Sequence, residues 1–167
     1  MLHLLPYKEL ELFSPFKSEE ALEKLSSEIK PIEIRTGPVI FGTTDERFQG
    51  NVNGNHFEIR RDISYRNSFL PFIRGTIMPA GKGSVVRVEM RMHPAARKFM
   101  RFWLGVIAAM FLGMVLAAAG IACIVIPAFL IAFGVAFMMA GFYPEASIAK
   151  DFFCEALSAK DHNPWET

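Results

Sequence analysis

The sequence predicts an α+β domain, a short helix plus an antiparallel sheet, joined to a transmembrane helical hairpin. Three observations carry this. Phe102 to Tyr143 is a run of 42 residues without Asp, Glu, Lys, Arg, His, Asn or Gln, and one helical bilayer crossing takes roughly 20 apolar residues. Between Phe48 and Met92 apolar and polar residues alternate, the period of a half-buried strand. Asn53-Gly54 sits inside that stretch and is the strongest short hairpin signal. The expected division is a cytoplasmic domain over 1–98, a two-helix membrane hairpin over 99–143, and an amphipathic helix with a tail over 144–167.

The elements follow in order. Glu9-Leu10-Glu11-Leu12-Phe13 alternates and predicts a first strand, which Ser14-Pro15 ends. Ser18 is the expected N-cap of a helix over 19–29, with Glu19 and Glu20 placed where carboxylates suit the helix dipole. Ala21, Leu22, Leu25 and Ile29 share one face, and Pro31 stops the helix. Phe48, Gly50 and Val52 then form one arm of a hairpin and Phe57, Ile59 and Arg61 the other. Ile73, Gly75 and Ile77 alternate with Arg74 and Thr76; Val86, Val88, Met90 and Met92 alternate with Arg87, Glu89 and Arg91. Pro79 to Gly83 is the turn between them. Gly81-Lys82-Gly83-Ser84 lacks the spacing of a phosphate loop and reads as part of that turn.

The apolar run reads as spans over 102–118 and 122–142, with the turn at 119–121. A soluble chain of this size could not surround two wholly apolar helices. Small residues recur every fourth position: Gly105, Ala109, Gly113 and Ala117 in the first span; Ala128, Ala132, Ala136 and Ala140 in the second. Such stripes permit close helix approach, and the expectation is that the two pack on each other. Pro127 should weaken the second helix near its start. Pro144-Glu145 should begin a separate helix over 145–159, lying on the bilayer or on the soluble domain, before a loose tail at 163–167.

Charge is unevenly placed. Residues 1–59 hold six Lys or Arg against ten acids, residues 60–101 ten against two, and residues 102–167 two against five. Arg97, Lys98 and Arg101 flank the first span, so the positive-inside rule puts that flank in the cytoplasm. Both termini are then expected in the cytoplasm, and the start Met1 to Leu5 lacks the makings of a cleavable signal. The basic block also suits anionic lipid. No recognition helix or stacking motif accompanies it, so nucleic acid is not an expected partner.

His3, His56, His93 and His162 lack ligand spacing, so neither a metal nor another cofactor is expected. Cys123 and Cys154 form no disulfide framework. No serine or cysteine stands in a nucleophile motif, and neither span carries an ionisable group that would mark an ion path. The speculative contact residues are Arg60, Arg61, Tyr65, Arg66, Asn67 and Arg74.

Phe48-x-Gly50-x-Val52, Phe57-x-Ile59-x-Arg61, Tyr65-Arg66-Asn67-Ser68-Phe69-Leu70-Pro71, Ile73-x-Gly75-x-Ile77 and Val86-x-Val88-x-Met90-Arg91-x-His93-Pro94 form a familiar series. Together they resemble an uncharacterised group of small bacterial two-span membrane proteins with a strand-rich cytoplasmic region. The resemblance implies a bacterial inner-membrane location and no activity. Taken by itself, the Tyr65–Pro71 string reads as a structural corner between strands, or else as a contact loop.

The expected function is a membrane-anchored cytoplasmic binding module for lipid or a protein partner at the membrane face. One concrete version is an immunity or accessory protein for an inner-membrane partner. One alternative is an enzyme acting on lipid headgroups, with Arg66, Asn67 and Arg74 gripping phosphate and Asp62 or His56 as base. The other is a homo-oligomeric pore, which predicts small-residue stripes on the outside of the hairpin.

Overall fold

The structure, a computed structural model, describes residues 5–31, 48–117 and 120–161. Ala119 of the expected turn, the side chain of Cys123 and the tail at 163–167 lie outside the described residues. The elements are β1 (Tyr7–Ser14), α1 (Ser18–Glu28), β2 (Lys30–Pro31), β3 (Phe48–Asn53), β4 (His56–Arg61), β5 (Pro71–Ala80), β6 (Gly83–Met92), α2 (Pro94–Leu116) and α3 (Ile121–Ala156).

The six strands form one sheet in the order β1-β6-β5-β4-β3-β2. The long pairings are antiparallel, as the alternation implies, but the sheet is mixed, because β2 runs parallel to β3. Pro31, expected only to stop the helix, is the second residue of β2. Proline is tolerated there because, among the described residues, β2 is an edge strand with no ladder on its outer side. Ser18 is the first helical residue of α1 rather than its cap. Lys17 holds the cap position and donates no side-chain bond to it.

Both hairpins turn on glycine in the left-handed region, Gly54 at φ +58 and Gly81 at φ +57, where a Cβ would be strained. Register then sorts the side chains. Leu10, Leu12, Phe57, Ile59, Ile73, Ile77, Val86, Val88, Met90 and Met92 all enter one buried core. The opposite face carries Arg74 against Glu58 at 2.8 Å, Arg87 against Glu11 at 3.5 Å, and Arg91 against Glu89. The arginines that alternate with the core residues are thus interleaved with carboxylates.

α1 and the C-terminal half of α3 cover the core face. The expected break at Pro144 is absent, and α3 is one helix of 36 residues. Its buried stripe runs Met138, Phe142, Ala146, Ala149, Phe153 and Leu157, at steps of three and four that continue in phase through Pro144. Phe152 stacks on Phe48 with centroids 4.2 Å apart, and Phe153 meets Phe57 at 5.3 Å. Of the two resting places expected for the C-terminal segment, it packs on the α+β domain. Each large side chain buried this way contributes about 1.5–3 kcal/mol. Ser14 closes the far end by donating to the Leu157 carbonyl at 2.8 Å, which satisfies one of the carbonyls that every helix end leaves over.

α2 and α3 are each long and apolar enough to cross a membrane. They do not meet through the two small-residue stripes. Gly105, Ala109, Gly113, Ala117, Ala128, Ala132, Ala136 and Ala140 are all exposed. The contact instead buries Met100, Leu104, Ile107 and Met138, with the Trp103 ring lying over Gly134. A Cβ on Gly134 would come within 2.3 Å of that ring. The ring set into the glycine gap adds dispersion contact at this crossing.

Candidate functional site

The loop of residues 62–70 connects β4 to β5 at the end of the sheet from which α2 departs. Odd residues of β4 face the core, so Arg61 at its end points toward α3. There its Nη1 donates to Glu145 Oε2 at 2.9 Å, with both side chains nearly buried, at 10% and 5% exposure. The Tyr65 hydroxyl donates to the other oxygen of the same carboxylate. A buried carboxylate is tolerated only when paired and hydrogen-bonded; the end of β4 supplies one partner and the loop the other.

Asn67 does two jobs. Its Oδ1 accepts from the Phe69 amide at 2.9 Å, the local turn expected of that residue. Its Nδ2 donates to the Gly141 carbonyl of α3 at 2.8 Å. Pro144 has no N–H for the Ala140 carbonyl, one position earlier, so Asn67 braces the helix where proline weakens it. Gly141 permits the approach: a Cβ there would lie 3.0 Å from Phe69 Cδ2 and 3.2 Å from Asn67 Oδ1. Phe69 completes the dock edge-on to Phe137, centroids 5.7 Å apart.

Docking the loop leaves an open cleft of about 700 Å³ between it, the first turns of α2 and α3. Phe69, Phe72, Ala96, Phe99 and Phe137 form apolar walls, with Arg60, Ser68 and His93 as polar groups. His93 caps α2, its Nδ1 accepting from the Ala95 amide at 3.3 Å. That bond leaves the proton on Nε2 and makes the exposed nitrogen a donor. The cleft thus combines apolar walls with a few polar groups, the composition of ligand pockets in general.

The remaining candidate residues separate. Arg66 is exposed and lines none of the described clefts; Arg74 sits on the outer sheet face with its Glu58 partner. Asp62 accepts from Gln49, whereas His56 lies at the other end of β4, about 20 Å away at 3.3 Å per residue. The two potential bases and Arg66 thus share no pocket among the described residues. Arg97, Lys98 and Arg101 occupy the first turns of α2. Among the described residues no three metal-capable side chains come together.

Several groups carry shifted proton affinities. The Tyr7 phenol is pushed up to about 12, chiefly by burial and then by its bonds to Glu89 and Glu9. Arg91 is raised by its bond to Glu89, and Lys150 by its bond to Asp161. Burial pushes the Cys154 thiol up. All four lie away from the cleft.

Sequence reasoning missed Glu145, Gly141, His93, Phe99 and Phe137. The one available signal was Glu145 itself, an acid just beyond a 42-residue run without charge and so in need of a partner. Comparison with known proteins finds no matching family model, no similar characterised protein and no similar solved structure.

Proposed function

We propose that this chain is a two-span bacterial inner-membrane protein, with both termini in the cytoplasm, that acts as a non-catalytic binding module. In this reading it belongs with the group of small membrane proteins that its motifs resemble. α2 and the first part of α3 form the membrane hairpin; the sheet, α1 and the rest of α3 form the cytoplasmic domain. The observation that carries the reading is α3, which runs without a break from its apolar half into the core of the α+β domain. The domain is thereby held in a fixed attitude at the bilayer, with the cleft beside Phe99 and Phe137 at the interface. An accessory role toward an inner-membrane partner fits that placement.

The test is affinity purification of the full chain from native membranes in mild detergent, with mass spectrometry of retained protein and lipid. A stoichiometric component held by the wild type and lost when Ala96→Trp fills the cleft supports the reading. Equal retention by both forms rejects the cleft as the binding surface.

One observation favours a second reading, self-association. Both small-residue stripes face outward, and a Cβ on Gly105 or Gly113 would meet open space. Small-residue faces let helices of separate chains approach closely. A detergent oligomer that Gly113→Ile dissociates supports this reading, and a monomeric wild type rejects it.

A further inference from the structure

We infer that the cleft between the 62–70 loop and the roots of α2 and α3 is a binding site for one anionic phospholipid. The inference rests on the two-span reading above. Two independent observations point to this occupant.

The first is charge. On the outer sheet face Arg74, Arg87 and Arg91 each have a carboxylate partner. Arg60, and Arg97, Lys98 and Arg101 on the first turns of α2, have none among the described residues. Arg60 lines the cleft, and Arg97 lines a small recess that shares Phe72 with it. The His93 donor opens into the same space. A phosphate is the ligand such a set lacks, since charge-assisted donors bind it strongly.

The second is the continuity of the apolar wall. Phe129, Phe133 and Phe137 recur every fourth residue on α3, with successive ring centroids 6.1 Å apart. Phe69 extends the row by meeting Phe137 at 5.7 Å. Phe129, Phe133 and Phe137 are each more than half exposed, so the row runs as an open apolar track from bilayer depth into the cleft. A free phosphate would use the cations and leave this track bare; a phospholipid uses both, with its headgroup at Arg60 and one acyl chain along the rings.

The experiment uses the full chain reconstituted in phosphatidylcholine discs with or without phosphatidylglycerol. Native mass spectrometry reads the lipid retained after release into detergent, and alkaline extraction of membranes is run in parallel. The expected result is an alkali-resistant protein that keeps one phosphatidylglycerol in preference to phosphatidylcholine. Arg60→Gln should weaken that retention about fivefold, the worth of one cation near an anionic surface (~1 kcal/mol), and Ala96→Trp should abolish it. Arg60 is exposed, so its replacement tests the site without depending on the core. Alkali resistance with equal retention of both lipids, or with no effect of Arg60→Gln, overturns the site while leaving the two spans standing. A lipid-free dimer, in which a second copy fills the cleft, overturns it too. Extraction by alkali removes the two-span reading and this inference with it.

Discussion

Cutting the tie between Arg61 and Glu145 should loosen the sheet from α3. Both side chains are nearly out of water, at 10% and 5% exposure, and meet at 2.9 Å. In Arg61→Ala the carboxylate stays buried with the Tyr65 hydroxyl as its only neutralising neighbour from the loop. Removing one member of a buried pair costs about 3–5 kcal/mol, because the remaining charge keeps its desolvation penalty and loses its attraction. For a chain of 167 residues each kcal/mol moves the melting temperature by about 2–4 °C, so the drop should be roughly 6–20 °C. The joint replacement Arg61→Met with Glu145→Leu removes both charges and keeps the volume. It should return stability to within about 1 kcal/mol of the wild type, or exceed it. Circular dichroism melting in one detergent reads all three proteins. An Arg61→Ala variant melting within about 2 °C of the wild type, or a joint variant no more stable than Arg61→Ala, would refute the claim that desolvation governs this contact.

Three further outcomes follow from the geometry. Tyr7 should stay protonated until about pH 12 in an ultraviolet titration compared with Tyr7→Phe; because the folded value is raised, its stabilisation is complete below the ordinary phenol pKa of about 10 and is lost as pH climbs from there to 12. Asn67→Ala should cost about 1–2 kcal/mol through the lost bond to the Gly141 carbonyl and should expose the 62–70 loop to limited proteolysis, whereas Ser68→Ala should not. With Cys123 replaced by alanine, Cys154 should react slowly with a maleimide at neutral pH and quickly after denaturation, because burial holds its thiol in the protonated form; equal rates would contradict that.

The strands were legible because period two survives wherever one face is buried, and the two hairpin glycines announced their turns. The course of α3 was legible too, but only to a reader who followed phase rather than proline. Met138, Phe142, Ala146, Ala149, Phe153 and Leu157 keep one face across Pro144, while the proline rule alone suggested a break. Proline is accommodated because a loop some 74 residues earlier in the chain braces the neighbouring carbonyl, and nothing local in the sequence encodes that. The same distance hid the Arg61–Glu145 contact. The stripes misled for another reason. Small residues on a membrane helix show where close approach is possible, and Gly134 is where it happens, under the Trp103 ring.

The unbroken α3 also sets an order of events during synthesis. The sheet is complete as soon as Met92 has emerged and α1 is already made, yet the other side chains that cover its core face begin at Met138 and end at Leu157. At 5–20 residues per second, the 50 residues from Met92 to Phe142 take about 2.5–10 s to make. Throughout that interval Phe57, Ile59, Ile73 and Met90 lack the part of their lid that α3 supplies. A nascent chain with a bare sheet face is a client for a chaperone or an aggregation hazard. The α+β domain therefore matures only after α2 and the first half of α3 have been made, and a ribosome that stalls before the second half of α3 leaves behind a sheet without that part of its cover.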